Sequence, residues 1–404
     1  MNDADSSGFL LPHNFDATRV VDKLGGDEHC ELGETIAFSL CYYDSFDWRL
    51  HAAGLRLLQV ASPHGTVLRL RSAQGEGRAE PVGFDATPAW PGDLPEGDLR
   101  SRVSDLLAMR VLLPVTRVSG TAIGLRALNH DGKTVVRMQL LTLQSEPPDS
   151  NAPRALWPRL QLMPVRGYDN ELSALEDYLA RDIEWPRAPA CLFEESITAI
   201  GRVAGDYSSK LDVPLQRGQP ALEALRTILL TLLDTIERNV QGTRANLDSE
   251  FLHDLRVATR RTRSALSQVK RVLPQPVIEE FKQRFAWLGQ ITGPTRDLDV
   301  FLLELPHYRA ILPAAMAGDL DALEEHLRAA HVTEQARLKR KLGSPEFKAL
   351  LRDWRSLLEG EVLPDEPGWF ADLPAERVAS QRIWRMYKKV LSVGRTVKPD
   401  GPPE

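Results

Sequence analysis

Residues 251–272 read Phe-Leu-His-Asp-Leu-Arg-Val-Ala-Thr-Arg-Arg-Thr-Arg-Ser-Ala-Leu-Ser-Gln-Val-Lys-Arg-Val, and this stretch decides the fold of the second half of the chain. On a helix, one narrow stripe would carry a histidine and three arginines: His253, Arg256, Arg260 and Arg263. The neighbouring arc is apolar and would face a core: Leu252, Leu255, Ala258, Leu266 and Val269. The pattern predicts a helix that is anchored on one side and presents guanidinium groups on the other.

The same stretch is cationic within an acidic chain. It holds six Lys and Arg residues against one acid, Asp254, whereas the whole chain has 50 Lys+Arg and 56 Asp+Glu and a formal net charge of −6. A solvated helix face usually interleaves both signs, because like charges three or four residues apart repel. We therefore interpret the stripe as a site for a polyanion that accepts bidentate hydrogen bonds from arginine. An ordinary solvated face is the alternative.

Composition predicts a soluble, cytoplasmic protein of two or more domains. The chain has 404 residues, of which 43% are hydrophobic and 26% charged. It contains no run of about 18 apolar residues that could span a membrane, and its first residues lack the features of a signal peptide. Three scattered cysteines, Cys30, Cys41 and Cys191, argue against a disulfide framework or a zinc site.

The two halves of the chain have different hydrophobic patterns, strand-like in the first and helical in the second, which predicts an α+β protein. Residues 1–185 are rich in strand-like alternation, including a hairpin of residues 120–128 and 134–143. Residues 186–217 are expected to form a linker. Residues 218–404 predict an all-α bundle, with helices near 222–240, 251–272, 277–291, 317–342, 345–359 and 375–393. Gly293-Pro294 is expected to end the third helix, and Thr295 is expected to cap the next one.

Two motifs in the second half resemble the CHAD family, the conserved-histidine α-helical domains. The motif from His253 to Arg263 is followed, about 40 residues on, by Gly293-Pro-Thr-Arg-Asp-Leu-Asp299. The resemblance implies two pseudo-symmetric helical bundles whose basic inner surfaces bind inorganic polyphosphate without catalysis of their own. In the family a second His-x-x-Arg helix follows a segment like residues 382–395. The sequence is therefore expected to hold the first half of a CHAD domain, with a second chain or copy completing it.

The predicted binding site draws on the cations of these helices. The polyphosphate-binding residues are predicted to be His253, Arg256, Arg260, Arg261, Arg263, Lys270, Lys282, Arg284, Arg296, Arg382, Arg385, Lys388 and Lys389. No recognisable motif pairs His253 with a Ser or Cys nucleophile, so an anion contact or a network role is favoured over general-base catalysis. Asp297 and Asp299 are interpreted as helix caps or as partners of Arg296 rather than as metal ligands. No catalytic residue, metal or cofactor is predicted.

The first half resembles the CYTH, or triphosphate-tunnel, family in residues 42–50, 53–57, 67–71 and 162–168. The resemblance implies an antiparallel β-barrel or tunnel. CYTH enzymes open with a Glu-x-Glu-x-Lys strand whose carboxylates hold a divalent metal. Glu28, Glu31 and Glu34 are spaced by three, which does not suit one face of a strand. We expect a degenerate domain without catalysis. Six arginines are scattered through its expected strands: Arg69, Arg71, Arg110, Arg117, Arg126 and Arg137.

Three functions compete on these observations. The leading hypothesis is non-enzymatic binding of inorganic polyphosphate by the cationic helical surface. Under this hypothesis the protein is expected to associate with polyphosphate granules. The enzyme alternative is a metal-dependent triphosphatase or polyphosphatase in the N-terminal tunnel. The third hypothesis is nucleic-acid binding by the basic helices. The acidic balance of the chain and the lack of interleaved aromatic residues both count against it.

Four tryptophans lie within apolar periodic segments and are expected in the core: Trp48, Trp287, Trp354 and Trp384.

Overall fold

The structure of the chain is a computed structural model that describes residues 8–25, 29–72, 82–189, 191–313, 316–360 and 368–395. Glu28 therefore lies outside the described residues. The chain divides into two compact units, Met1–Ser208 and Ser209–Glu404. We call the first the sheet unit and the second the helical unit. The division falls within residues 186–217, the range in which a linker is expected.

The sheet unit is built on a nine-stranded antiparallel sheet, in agreement with the predicted antiparallel first half. Its strands are β1 Gly8–Leu10, β2 Cys30–Asp44, β3 Leu55–Ser62, β4 Gly65–Ser72, β5 Val82–Gly83, β6 Leu113–Leu128, β7 Thr134–Glu146, β8 Arg154–Ala155 and β9 Arg159–Pro164. Neighbours follow the order β1-β9-β7-β6-β2-β3-β4-β5, and β8 pairs with β7. The predicted hairpin is β6–β7, where Gly132 in the turn takes a φ of 70°, a conformation that favours glycine.

Helices cover both faces of this sheet. They are α1 Ala17–Lys23, α2 Arg49–Ala52, α3 Asp98–Leu107, α4 Asp169–Arg181 and α5 Leu192–Ala199. The outer face packs against α1 and α4 through residues such as Leu160 and Leu179, and against α2 and α3 through Leu57 and Val103. The inner face, which carries Tyr42, Leu58, Val118 and Leu143, packs against α5. The expectation of a linker is therefore wrong for residues 192–199, because their apolar side chains complete a core.

The helical unit consists of long helices joined by short connections, in agreement with the predicted bundle. They are α6 Ala221–Ala245, α7 Ser249–Gln268, α8 Gln275–Ile311, α9 Leu320–Lys341, α10 Pro345–Glu359 and α11 Ala375–Gly394. α7 begins at the N-cap Asp248, whose side chain accepts hydrogen bonds from the backbone N–H groups of Glu250 and Phe251 at 2.9 and 3.2 Å. This cap satisfies two of the donors that every helix start leaves without an intrahelical partner.

One expected helix boundary is wrong, because α8 continues through Pro294 and Pro306. A proline inside a helix costs about 3 kcal/mol, since it removes one backbone hydrogen bond. Residues on both sides of Pro294 are buried on one face of α8, and their packing outweighs this local cost. Those residues are Phe285, Leu288, Thr292, Thr295 and Asp299. Thr295 is consequently not an N-cap but a residue of the helix interior, 1% exposed.

The core of the helical unit joins all six helices from α6 to α11, with α9 contributing Leu338. Trp354 is fully buried there, with its ring centroid 4.5 Å from that of Phe281 and 5.5 Å from that of Phe285. Trp48 is likewise buried in the sheet unit, and Trp287 is partly buried. Trp384 contradicts the expectation of a buried residue, since it is 60% exposed on α11.

Within the described part of the chain, no helix has both the length and the apolar character to cross a membrane.

Candidate anion-binding site

The arginine stripe of α7 packs against two glycines of α8, Gly289 and Gly293. A Cβ atom added to Gly289 would lie 3.1 Å from Nη1 of Arg263, and one added to Gly293 would lie 3.7 Å from Nη1 of Arg256. The two glycines are one turn apart on α8. Because neither has a side chain, Arg256 and Arg263 can extend over this part of the helix surface. The guanidinium groups thus follow the line between the two helices.

Hydrogen bonds fix two of the cations in this line. Nη1 of Arg256 donates to the carbonyl oxygen of Gly289 at 3.1 Å and to Oγ1 of Thr292 at 3.0 Å. Nη2 of Arg296 lies 3.1 Å from Nδ1 of His253. Because a guanidinium can only donate, Nδ1 is the acceptor and the neutral imidazole carries its proton on Nε2. His253 therefore orients Arg296 from α7 while its Nε2–H remains a donor.

The arginines of this line form no ion pair with a carboxylate among the described residues. We define the cationic seam as His253, Arg256, Arg260, Arg263 and Arg296; among the residues that the structure describes, no carboxylate forms an ion pair with any of them within 4 Å. Burial lowers the pKa of Arg256, Asp297 opposes this, and the neighbouring positive charges of Arg296 and Arg260 lower that pKa further. A guanidinium remains charged in proteins, so the repulsion between these groups is available to stabilise a bound anion.

A second cluster of cations lies at the end of α7. Nη2 of Arg382 donates to the carbonyl oxygen of Lys270 at 3.4 Å. Burial lowers the pKa of Arg382, and the charges of Arg385 and Arg271 lower it further. At 100° per residue, four predicted site residues share one side of α11, which we call the α11 basic face: Arg382, Arg385, Lys388 and Lys389. Arg271, whose charge acts on Arg382, was not among the predicted site residues, although it directly follows the predicted Lys270.

Three further predicted residues are placed differently. Lys282 lies seven residues before Gly289 on α8 and is exposed on the same side of the helix. Arg284 is engaged by acids, with Nη1 3.1 Å from Glu280 and Nη2 3.0 Å from Asp353. Arg261 lies on another side of α7, where it lines a small cavity together with Lys210 and Asp254. The structure therefore does not bring Arg284 or Arg261 into the cationic seam.

The expected role of Asp297 and Asp299 as helix caps is wrong, because α8 continues through both residues. Asp299 is 8% exposed and accepts a hydrogen bond at 2.8 Å from Nε2 of His331 on α9. It therefore connects α8 to α9 rather than capping a helix. Asp297 is exposed and exerts its charge on Arg256. No group of three or more potential metal ligands occurs in the described portion of the chain.

The strand arginines of the sheet unit fall on different sides of the sheet. The pairing register places four of them on the inner face: Arg69, Arg71, Arg126 and Arg137. Arg117 occupies the opposite face. Arg110 precedes β6 and is 1% exposed, with its Nε 3.4 Å from Asp47. The first strand, β1, reads Gly-Phe-Leu. Of the three glutamates weighed as metal ligands, Glu31 is paired with Arg126.

Together, the fold and the seam define a basic α-helical bundle that follows an antiparallel sheet unit. Residues 227–404 match the CHAD family, described as the CHAD domain. This part of the chain is therefore a CHAD domain, as the motifs from His253 to Arg263 and from Gly293 to Asp299 predict. No curated protein matches the sequence significantly.

Solved structures resemble parts of the chain loosely. The CHAD domain from the plant Ricinus communis is 24% identical with a TM-score of 0.38, and the match covers 48% of this chain and 62% of that chain, less than two thirds of its length. A candidate adenylate cyclase from Bacillus halodurans is 10% identical with a TM-score of 0.31, covering 46% and 91%. The candidate adenylyl cyclase HpAC1 from Hippeastrum, which has a dominant triphosphatase activity, is 12% identical with a TM-score of 0.33, covering 50% and 99%.

Proposed function

We propose that the helical unit binds inorganic polyphosphate along the cationic seam and performs no chemistry on it. The observation that carries this proposal is the set of four arginines on α7 and α8 that lack an ion-pair partner among the described residues, together with the neutral His253 that orients one of them. Elsewhere in the same unit, arginines are paired with acids: Arg284 contacts Asp353 at 3.0 Å and Arg309 contacts Asp321 at 2.6 Å. A row of uncompensated guanidinium groups is costly in the free protein, and an anion would relieve that cost.

The shape of the seam suits a linear polyanion. From His253 to Arg263 the stripe extends about 15 Å along α7, at about 1.5 Å per residue. Guanidinium groups bind phosphate oxygens through two parallel hydrogen bonds, which adds geometric specificity to the charge. The α11 basic face, at the end of α7, would extend the contact for a longer ligand. Binding by several cations should release counterions and weaken with salt.

A binding titration with labelled long-chain polyphosphate tests the proposal. The variant Arg256→Gln/Arg260→Gln/Arg263→Gln should bind at least 100-fold more weakly, because each charge-assisted contact contributes about 1.5–3 kcal/mol. A matched control removes the same charge from exposed, acid-paired arginines of the same unit: Arg328→Gln/Arg337→Gln/Arg352→Gln. It should lose less than threefold. Equal losses in the two variants would rule out the seam as the binding site.

Competition separates polyphosphate from nucleic acid. The groups of the seam lie along the line between α7 and α8, and the seam includes no aromatic ring of Phe, Tyr or Trp on which a base could stack. Unlabelled polyphosphate should displace the labelled probe at a phosphate concentration at least tenfold below that needed for double-stranded DNA. Displacement by DNA at an equal or lower phosphate concentration would favour nucleic acid as the ligand.

A further inference from the structure

The inner face of the sheet unit concentrates arginines from several strands. Besides the four strand arginines already placed there, the register puts Arg56 of β3 opposite Arg71 of β4 and Arg159 of β9 opposite Leu141 of β7. Successive side chains of a strand alternate between faces, so both arginines share the inner face with Leu58, Leu141 and Leu143. Sequence analysis did not single out either residue.

Helix α5 is seated on this same face. Phe193 is 4% exposed, its ring centroid lies 5.1 Å from that of Tyr42, and the guanidinium of Arg56 lies 4.9 Å from the centre of its ring. Ser145 of β7 donates from Oγ to the carbonyl oxygen of Ser196 at 2.9 Å. These contacts hold α5 against strands β2, β3 and β7.

Two adjacent acids of α5 reach arginines on two different strands. Oε1 of Glu194 lies 2.8 Å from Nη2 of Arg56 on β3. Oε2 of Glu195 lies 2.6 Å from Nη2 of Arg159 on β9. Consecutive residues of a helix point about 100° apart, which is why neighbouring carboxylates can reach strands on either side. The side chain of Arg159 is only 6% exposed, so its charge is compensated mainly inside the protein.

Each of these arginines keeps unused donor capacity. The buried Nε atoms of Arg56 and Arg159 have no hydrogen-bond partner among the described residues. Each guanidinium thus meets a glutamate through its terminal nitrogen alone, whereas a phosphate group can engage two nitrogens at once. Glu194 and Glu195 therefore lie where two phosphate groups of an external anion could lie. They leave the Nε donors of Arg56 and Arg159 unused, whereas phosphate groups could accept hydrogen bonds from them.

We propose that α5 is an autoinhibitory element of the sheet unit. Its Glu194 and Glu195 hold arginines of the inner face in place of an external oligophosphate, and the unit accepts such an anion only when these carboxylates are neutralised or displaced. This proposal concerns the sheet unit and is independent of the cationic seam of the helical unit.

The test uses the full chain carrying Arg256→Gln/Arg260→Gln/Arg263→Gln, so that binding at the seam is suppressed, and inorganic tripolyphosphate as the probe. Adding Glu194→Gln/Glu195→Gln should raise the affinity for tripolyphosphate at least tenfold by calorimetric titration. A matched control, Glu171→Gln/Asp177→Asn, removes two exposed acids of α4 in the same unit and should change the affinity less than twofold.

The double variant leaves Arg159 buried without its carboxylate partner, so a milder variant accompanies it. Glu194 is 45% exposed, and Glu194→Gln alone should keep the fold and raise the affinity at least threefold. Tripolyphosphate should also raise the Tm of the double variant more than that of its parent. The proposal is overturned if Glu194→Gln and every folded form of the double variant bind tripolyphosphate no better than the α4 control.

Discussion

At the scale of single residues, the arginines of this chain form two groups that differ in the charge beside them. Those of the cationic seam face backbone carbonyls, a threonine hydroxyl, a histidine or one another. Others are locked to carboxylates, such as Arg159 with Glu195 and Arg284 with Asp353. The arginines of the seam retain a positive charge that a ligand can use, whereas the charges of the carboxylate-paired arginines are already compensated.

The buried ion pair between Asp47 and Arg110 should be important for the stability of the sheet unit. Oδ2 of Asp47 lies 3.4 Å from Nε of Arg110 and 3.0 Å from Nε of Arg49. Asp47→Asn should lower the free energy of unfolding by about 3 kcal/mol, since it removes the charge facing a buried guanidinium. Urea unfolding of the variant and of the exposed control Asp98→Asn measures this loss. A loss below 0.5 kcal/mol, on the order of a typical surface substitution, would contradict it.

The same pair predicts a pH dependence. Burial alone would raise the pKa of Asp47, but the charges of Arg110 and Arg49 and a hydrogen bond from Ser45 outweigh burial and leave the pKa below its usual value of 3.8. A carboxyl with a lowered pKa in the folded state stabilises that state above its unfolded pKa, and this contribution is lost as the pH falls through the folded value. The difference in stability between the wild type and Asp47→Asn should therefore be constant from pH 5 to 7 and shrink below about pH 4. A difference that grows on acidification would contradict the assignment.

At the scale of secondary-structure elements, glycines determine how closely the helices approach. A Cβ atom on Gly242 of α6 would lie 2.2–2.5 Å from ring atoms of Phe251, which is 1% exposed and cannot move aside. A Cβ atom on Gly289 of α8 would meet only the far end of Arg263, at 3.1 Å. The two positions therefore have different consequences for the same substitution.

Gly242→Ala should destabilise the helical unit by about 1–3 kcal/mol, the cost of overpacking a core. Gly289→Ala should leave stability unchanged or raise it by up to about 1 kcal/mol, because alanine favours the helix, while displacing Arg263 and weakening polyphosphate binding about threefold or more. Thermal unfolding and the polyphosphate titration, run on both variants, measure these effects. If Gly289→Ala destabilises the protein as much as Gly242→Ala, the proposed close approach of Arg263 to α8 is wrong.

Periodicity predicted most of the helices and the central hairpin, and it failed where long-range packing decides the outcome. Gly293-Pro294 predicts a break by local propensity, whereas the packing of Thr292, Thr295 and Asp299 keeps α8 continuous. The seam could be anticipated from one helix, since its α7 members share a stripe. The pairs Arg56–Glu194 and Arg159–Glu195 could not, because they join residues 138 and 36 positions apart that only the packing of α5 on the inner face of the sheet brings together.

At the scale of the whole molecule, α11 presents an apolar arc beside its basic face. Seven apolar side chains of this helix are between 40% and 68% exposed: Ile383, Trp384, Met386, Tyr387, Val390, Leu391 and Val393. At 100° per residue, four of them lie on the side opposite Arg385 and Lys388: Ile383, Met386, Tyr387 and Val390. Trp384 lies beside Lys388 and lines a surface cavity with both cations. Contiguous apolar surface of this kind usually marks an interaction site. It gives the expected second chain or copy a defined place to bind, which remains a prediction.

We predict that the chain self-associates through this arc. Sedimentation velocity should show a sedimentation coefficient that rises with protein concentration, because burying the apolar side chains is favourable. Trp384→Ser/Val390→Ser should abolish the rise without changing helicity. The paired substitution Arg352→Ser/Lys348→Ser on α10 serves as a surface control. A concentration-independent monomer for the wild type would contradict the prediction.

The salt dependence of polyphosphate binding tests the central claim most directly, because it counts the cations that engage the ligand. The slope of log Kd against log salt concentration should correspond to at least five ion pairs in the wild type. The slope should be smaller by about two to three in Arg256→Gln/Arg260→Gln/Arg263→Gln, because each lost cation lowers it by about 0.7–0.9. The acid-paired control Arg328→Gln/Arg337→Gln/Arg352→Gln should keep the wild-type slope. A slope that is unchanged in the seam variant, or lowered equally in both variants, would show that polyphosphate does not bind along the cationic seam.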